Sequence, residues 1–513
     1  MQEEANNIAN NKRIAKNTTY LYFRMLFTTI MSLYIARLVL KILGVQDFGI
    51  YNVVGGVVTF LGFLTSTMSS ATQRYLTFHL GIGDSLKYKQ TFSLLINVFL
   101  IFCVIAFFIL EFVGPFYINH FMNIPEERVQ AAQWVFQFSL LSFLFNAFSI
   151  PYRSSVVAYE KMNVYAFIGI IEVILHLAVA IALLYINIDH LILYGALMCL
   201  SSVIVVISVM VYCRHKLDNC RYIKYWDSKY VKELVSYSGW NLFGATTGVM
   251  NLQGQAIVLN YFFGPIVNAA KAVADKVFGL VNQFSANFYM AVTPQIIKSY
   301  ASGDVNYMRL LVLNSSRYSF FLMFIISVPL IVLMEPLLCL WLGGEQVSLD
   351  MVKFCQYTIV YSLVNVLEQP LTMAVRATGN IKKYQIVVGV ITLSFIPLCI
   401  LLFVLGAPSY SSMLLLSLIF FMALIARVHI VSNIIKIKRT AYVREVLLPI
   451  LFVVMITISI IYLFSFVCSG NEFDVYYIAG FSSMMTILSI LIVGLNKDER
   501  YMLKRVLNKV LKR

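Results

Sequence analysis

Residues 91–110 read TFSLLINVFLIFCVIAFFIL and contain no charged side chain. A helix needs about 20 predominantly apolar residues to cross the hydrocarbon core of a bilayer, so this stretch is long enough by itself. The rest of the chain has the same character, since 60% of its 513 residues are hydrophobic and only 12% are charged. Soluble domains are about half apolar and about a quarter charged. We therefore expect lipid to surround most of this protein.

Apolar runs of similar length follow one another along the chain and predict an all-α polytopic membrane protein with about 14 transmembrane helices. Their approximate bounds are 19–43, 50–72, 92–112, 129–150, 164–186, 191–212, 237–263, 270–292, 318–342, 351–375, 384–405, 413–435, 447–467 and 476–495. The seventh and eighth runs are the most polar, because they contain residues such as Asn251, Gln255 and Lys271.

A weak internal repeat indicates how these helices are arranged. Adding 220 to the residue number carries Gly44 onto Gly264 and Gly83 onto Gly303. The pairs Pro151 and Pro370, and Ala158 and Ala377, follow at an offset of 219. A repeat of six helices predicts two pseudo-symmetric bundles in parallel orientation. The predicted organisation is a first bundle at 1–213, a cytoplasmic amphipathic linker at 214–236, a second bundle at 237–440, a terminal helix pair at 441–495 and a basic amphipathic cytoplasmic tail at 496–513.

The formal net charge of +15 is explained by orientation in the membrane. If the N-terminus is cytoplasmic, 31 of the 39 Lys and Arg residues fall in cytoplasmic segments, as the positive-inside rule requires. The sequence therefore predicts a bacterial inner-membrane protein with both termini in the cytoplasm. Its basic residues are expected to contact anionic lipids, and nucleic acid is not an expected partner.

Two polar segments have apolar residues at helical spacing and predict helices that lie flat on the membrane surface. The linker contributes Ile223, Trp226, Tyr230 and Leu234, and the tail contributes Leu503, Val506, Leu507, Val510 and Leu511.

Three short motifs on the first two long helices carry a family resemblance. They are Leu43-Gly44, Phe48-Gly49-Ile50-Tyr51 and Gln73-Arg74-Tyr75. With the layout of two six-helix bundles and a terminal pair, the chain resembles the polysaccharide (O-antigen type) flippases of the multidrug/oligosaccharidyl-lipid/polysaccharide exporter superfamily. The resemblance implies two bundles around a central cavity that opens alternately to each side. It also implies a polyprenyl-diphosphate-linked oligosaccharide as substrate, with no cofactor.

Charged residues inside the membrane are costly, about 2.5–3.5 kcal/mol each even on lenient scales, and are the best functional candidates. Arg24, Arg37 and Lys41 lie on the first helix, where they could contact an anionic substrate or extend toward lipid headgroups. On the eighth helix, Lys271 is a further candidate, although Asp275 four residues later could neutralise it.

Two other pairs have different interpretations. Glu172 and His176, four residues apart on the fifth helix, are either a proton-coupling site or a static hydrogen-bonded pair. Glu368 and Arg427 lie at similar depths on the tenth and twelfth helices, and we expect them to form a structural ion pair.

Several functions are compatible with these features. We favour flipping of a lipid-linked oligosaccharide for surface polysaccharide biosynthesis, with a polysaccharide polymerase and glycosyltransferases as possible partners. A peptidoglycan-precursor flippase and a cation-coupled drug exporter of the same superfamily are alternatives. A membrane enzyme of polysaccharide assembly is a weaker one, because the sequence has no P-loop, no HExxH motif and no metal-spaced Cys/His cluster.

The predicted orientation can be tested by cysteine accessibility in a cysteine-free background. Asn187→Cys, Gly344→Cys and Asn471→Cys should react with an impermeant thiol reagent in intact spheroplasts, because they lie in predicted outer loops. Lys87→Cys, Lys224→Cys and Lys382→Cys should stay protected until the membrane is opened. The opposite labelling pattern would show that the orientation is reversed.

Overall fold

The structure is a computed structural model, and it describes residues 2–60, 62–121, 124–186, 188–342, 347–467, 474–496 and 499–500. Every regular element among these residues is a helix. Ten helices or helix pairs are long and apolar enough to cross a membrane. The chain is therefore an all-α polytopic membrane protein, as predicted. Of the predicted basic tail at 496–513, residues 497–498 and 501–513 lie outside the described residues.

The chain divides into two compact units, the first made of Met1–Leu242 with Ile297–Asp304 and the second of Phe243–Ile296 with Val305–Arg513. The helices of the N-terminal part are α1 (Gln2–Phe60, kinked at Gly44), α2 (Gly62–Ile82), α3 (Ser85–Phe121), α4 (Glu126–Phe148), α5 (Ile150–Ala158), α6 (Met162–Ala182) and α7 (His190–Lys216). The next two helices, α8 (Ser228–Phe263) and α9 (Pro265–Ala301), each contribute residues to both units.

The remaining helices belong to the second unit. They are α10 (Val305–Val332), α11 (Met334–Leu342), α12 (Leu349–Thr378), α13 (Lys382–Leu393), α14 (Phe395–Val404), α15 (Ser411–Ile435), α16 (Arg439–Tyr442), α17 (Leu448–Val467) and α18 (Asp474–Ser489). Of the 14 apolar runs, those at 237–263, 270–292 and 351–375 are helical but too polar for the ten apolar spans. The run at 50–72 includes residue 61, which lies outside the described residues. The terminal helices α17 and α18 pack against each other and against α10.

Apolar side chains both fill the cores and cover the outside of the helices. In the first unit, Val39 and Val173 join α1 to α6, and Val54 and Phe136 join α1 to α4. At the same time large apolar side chains remain exposed, such as Phe112 at 82%. Exposed apolar area on this scale is stable only against lipid or another protein.

The glycines of the internal repeat have the same backbone conformation in both halves. Gly44 and Gly264 have φ angles of 75° and 79°, and Gly83 and Gly303 have 80° and 82°. Glycine is the residue that adopts this left-handed conformation without steric cost. The sequence repeat therefore corresponds to equivalent turns between helices.

One turn of the repeat breaks this rule. The offset of 219 aligns Glu160, between α5 and α6, with Gly379, between α12 and α13. Both are left-handed, with φ angles of 57° and 80°. A residue with a side chain pays roughly 1–2 kcal/mol for this conformation, so Glu160 must be held in place by its contacts.

Those contacts are ionic and buried. The Glu160 side chain is 1% exposed, with Arg13 Nε at 2.8 Å from one carboxylate oxygen and Lys298 Nζ at 2.5 Å from the other. The side-chain amide of Asn17 donates to the backbone oxygen of Glu160 over 3.3 Å. Burial lowers the pKa of Lys298, and the Glu160 carboxylate opposes that shift. The carboxylate thus fixes a strained turn to the start of α1 and the end of α9.

The predicted interfacial helix in the linker is wrong for residues 217–227, which are not helical. Polar groups of α3 satisfy this backbone instead. The Ile223 N–H donates to Ser93 Oγ over 2.9 Å, and the amide of Asn97 donates to the Tyr225 carbonyl over 3.2 Å. Tyr230 and Leu234, assigned to the same surface helix, lie in the first turns of α8.

Substitutions at Glu160 separate backbone strain from ion pairing. Glu160→Ala and Glu160→Gly lose the same ion pairs, but glycine relaxes the left-handed turn. We expect both to lower the unfolding temperature of the purified protein, and the alanine variant to be less stable by about 1 kcal/mol. Gly379→Ala should cost a similar amount. Equal unfolding temperatures for the two Glu160 variants would show that the turn carries no strain.

Candidate functional site

A cavity of about 120 Å³ in the first unit collects charged side chains from three helices. Arg24 comes from α1, Arg153 from α5 and Glu172 from α6. Tyr165 and Gly169 complete the α6 side of the cavity. Two arginines and one carboxylate therefore line the same cavity.

The spacing of residues on α6 explains how Arg24 reaches this cavity. Tyr165, Gly169 and Glu172 are separated by four and three residues, so they share one face of the helix. The guanidinium carbon of Arg24 lies 4.8 Å from the centre of the Tyr165 ring, within the range of a cation–π interaction. A side chain at Gly169 would place its Cβ 2.9 Å from Cδ of Arg24. Gly169 therefore provides the space in which the arginine lies.

Arg153 is positioned by the break between α4 and α5. Pro151 lies in the first turn of α5, and the two residues that accept hydrogen bonds from Arg153 lie at the end of α4 and in the break. Its Nε donates to Ser149 Oγ over 3.2 Å and its Nη2 donates to Asn146 Oδ1 over 3.3 Å. Its Nη1 lies 4.0 Å from Glu172 Oε2, a loose ion pair. Arg153 is not among the residues predicted from the sequence, because its position two residues after a proline in a predicted cytoplasmic loop gives no sign that it faces Glu172.

Glu172 and His176 are not hydrogen-bonded to each other in the described structure. Both are partly exposed on α6, one turn apart, and the ionic partner of Glu172 is Arg153. The two interpretations of Glu172 and His176, as a proton-coupling site and as a static hydrogen-bonded pair between helices, both stay predictions.

Arg37 and Lys41 lie far from this cavity. At 1.5 Å per residue, Arg37 is about 20 Å along α1 from Arg24. Both side chains are exposed, and neither makes a hydrogen bond or ion pair with a described residue. They remain candidates for contact with an anionic substrate or with lipid headgroups.

Lys271 in the second unit is buried and paired. Its Nζ lies 2.6 Å from Asp275 Oδ2, one helical turn away on α9. The Lys271 side chain is 3% exposed and that of Asp275 is 40% exposed. The pair carries no net charge, which weakens the expectation that Lys271 contacts an anion.

Glu368 and Arg427 form an ion pair in the second unit. Both are buried, and Arg427 Nε also donates to the hydroxyl of Tyr384 over 3.1 Å. Thr372 Oγ1 lies 2.5 Å from the same hydroxyl. The ion pair expected from the sequence is thus present. Its structural role stays a prediction.

Sequence analysis also missed a charged cluster around Arg128 at the start of α4. Its Nη2 lies 2.9 Å from Asp47 Oδ2 and its Nη1 lies 2.5 Å from Asp189 Oδ2. Asp189 also caps α7 by accepting from the backbone N–H of Leu191 over 3.0 Å. Among Lys and Arg residues, Arg128 alone falls in the predicted outer loops of the first bundle, and that isolation was the available signal.

The Glu368–Arg427 pair predicts a stability effect that a double substitution can isolate. Arg427→Met leaves a buried carboxylate without its cation, which typically costs about 3–5 kcal/mol. We expect that variant to have a lower unfolding temperature and lower abundance in membranes. Replacing both residues by Met removes the unpaired charge and should restore most of the stability. A double variant no more stable than Arg427→Met would contradict a structural role for the pair.

Comparisons with known proteins address the fold. The MatE family model matches residues 21–182, the stretch that contains Arg24, Arg153 and Glu172. None of the curated proteins matches the chain.

Several solved structures are similar over most of this chain. A MATE transporter in a bent conformation has a TM-score of 0.70 and 14% identity over 83% of this chain and 96% of its own. A MOP superfamily transporter from Pyrococcus furiosus has 0.71 and 13% over 84% and 96%. An outward-facing multidrug resistance MATE family transporter of the MOP superfamily has 0.67 and 14% over 83% and 96%. With residues 21–182 matching the MatE family, this multi-pass membrane protein has the fold of the MATE transporters.

Proposed function

We propose that this protein is a transporter that flips a polyprenyl-diphosphate-linked oligosaccharide across the bacterial inner membrane by alternating access, for surface polysaccharide biosynthesis. The observation that carries the proposal is the cavity where Arg24 and Arg153 face a single carboxylate, Glu172. The transporter fold and the match of residues 21–182 to the MatE family support transport in general.

Two arginines at one cavity suit a diphosphate. A guanidinium group donates two parallel hydrogen bonds to phosphate oxygens and keeps its charge at any physiological pH. The loose 4.0 Å contact between Arg153 and Glu172 leaves that arginine able to exchange a carboxylate partner for a phosphate. Placing two arginines at one cavity between spanning helices is costly, which favours a functional role for them.

Pocket charge differs between proteins of this fold. The similar Pyrococcus furiosus transporter is described as having a binding pocket of reverse polarity, which suggests a different function for that protein. A cation-rich cavity in the present chain is therefore a relevant feature for its substrate class. A peptidoglycan precursor carries the same diphosphate chemistry, so the sugar portion distinguishes these two flippase functions.

A drug exporter is the second candidate function. It is favoured by the similarity to a multidrug resistance MATE family transporter. A site for cationic drugs would be expected to contain an excess of carboxylates, whereas this cavity contains an excess of arginines. Transport of cationic and anionic substrates therefore separates the two functions experimentally.

With the proposed orientation, the membrane potential can drive outward flipping of an anionic substrate without nucleotide hydrolysis. With both termini in the cytoplasm, a diphosphate carrying about two negative charges moves outward, away from the negative side of the membrane. Each charge that crosses the full potential releases roughly 2.3 kcal/mol per 100 mV. Glycosyltransferases on the cytoplasmic side and a polymerase on the outer side would be the enzymes that make and use such a substrate.

Neutral substitutions in the cavity test the proposal. In proteoliposomes, Arg24→Gln and Arg153→Gln should each slow flipping of a fluorescent undecaprenyl-diphosphate oligosaccharide at least about tenfold, because a charge-assisted hydrogen bond is worth about 1.5–3 kcal/mol. Arg153→Lys should keep part of the activity. Arg214→Gln, an exposed arginine at the end of α7, is the control and should flip like the unsubstituted protein.

The same proteoliposomes can be assayed for ethidium transport. Flipping by the double variant Arg24→Gln/Arg153→Gln at the unsubstituted rate would refute the diphosphate site. Ethidium transport by the unsubstituted protein, without any flipping of the lipid-linked oligosaccharide, would support the drug exporter instead.

A further inference from the structure

A second and larger cavity of the first unit has a different chemistry. Its volume is about 420 Å³, within the range of roughly 300–1,000 Å³ typical of small-molecule sites. It lies between the C-terminal part of α3 and the N-terminal part of α4, beside the predicted outer loop at 112–128. None of the described residues that line it is basic. A phosphate group would find no cation among these residues, so a ligand of this cavity is expected to be uncharged.

A carboxylate and amide side chains provide its polar groups. Glu111 comes from α3, and Gln130, Gln133 and Gln137 come from successive turns of α4. The Nε2 atom of Gln137 donates to both carboxylate oxygens of Glu111, over 2.9 and 3.1 Å. This contact fixes both side chains, while each carboxylate oxygen still has a lone pair that can accept from a ligand. The arrangement suits a ligand with several hydroxyl groups.

An aromatic side chain provides the apolar part of the lining. Trp134 is 50% exposed, and its ring is stacked with Phe138 at a centroid distance of 6.0 Å and an interplanar angle of 25°. An exposed indole that is held by a neighbouring ring loses little entropy when a ligand packs on it. The C–H groups on one face of a pyranose ring form an apolar patch that packs well against an indole.

We propose that this cavity binds a neutral sugar residue of the oligosaccharide headgroup, with Trp134 packing on the sugar ring and Glu111 accepting from its hydroxyls. The identification of that sugar as part of a transported substrate depends on the proposed function. The predicted orientation puts the cavity at the outer ends of α3 and α4. A sugar there would be recognised on the side where the headgroup is released, separately from the diphosphate at Arg24 and Arg153.

The full-length protein in nanodiscs can be tested by saturation-transfer NMR with free N-acetylglucosamine, galactose and rhamnose as probes. We expect saturable binding of at least one sugar, with a dissociation constant at least tenfold weaker in Trp134→Leu and partly recovered in Trp134→Phe. Trp341→Leu is the matched control, because Trp341 is 51% exposed but lies 6.0 Å from the ammonium of Lys276 in the second unit. It should bind sugar as the unsubstituted protein does. Glycerol has hydroxyl groups but no pyranose ring to pack on Trp134, so it should not compete with the sugar for the cavity.

Three outcomes would overturn the proposal. They are binding of none of the three sugars, sugar binding that survives Trp134→Leu, and displacement of the sugar by glycerol at similar concentration. Failure of the proposed function has a different signature. In that case neither undecaprenyl diphosphate nor its oligosaccharide is flipped by the unsubstituted protein, whatever the result for free sugars. If both ideas hold, Trp134→Leu flips the bare diphosphate lipid normally and Arg153→Gln does not.

Discussion

The hydrocarbon interior of the bilayer offers no hydrogen-bonding partner to a peptide group, and the rest of this structure depends on that constraint. Each backbone N–H and C=O inside the membrane must be satisfied within the chain, and a helix does this locally. The described chain obeys this almost throughout, with helices following one another from Gln2 to Gly494. Among the described residues the longest non-helical stretch, 217–227, is outside the apolar spans, and there Ser93 and Asn97 of α3 supply the partners.

The same absence of water governs the charges. Removing an ion from water is favourable only if a counter-ion or hydrogen bonds replace its hydration. In the second unit, Glu368 with Arg427 and Lys271 with Asp275 meet this requirement as one-to-one pairs. The cavity of the first unit differs, because two arginines line it and the ion pair between Arg153 and Glu172 is loose. An anionic substrate could bind between these arginines, and this is the physical basis of the proposed function.

The two halves of the chain solve one steric problem in different ways. The turn after α12 uses Gly379, which adopts a left-handed conformation freely, whereas the equivalent turn after α5 uses Glu160. The strain at Glu160 is offset by a buried carboxylate bound to Arg13 and Lys298. Halves that share left-handed turns at corresponding positions thus differ in their ionic contacts. The two cavities that we assign to substrate chemistry also belong to the first unit, whereas the neutral pairs belong to the second.

The sequence by itself determined that lipid surrounds the protein, that the chain is all-α and in which order the spans follow one another. Apolar runs such as 91–110 have no other stable arrangement in a membrane. It also predicted the turns at Gly44 and Gly264 and the contact between Glu368 and Arg427, since spacing along a helix sets both turn position and depth. Only the tertiary structure decided which side chains from different helices meet. It paired Glu172 with Arg153 instead of His176, placed Arg24 against Tyr165 where Gly169 leaves room, and gathered Glu111 with Gln137 beside Trp134. The rotation of each helix about its axis depends on packing with its neighbours, and a hydropathy pattern contains little information about that rotation when apolar side chains cover both the lipid-facing and the buried sides.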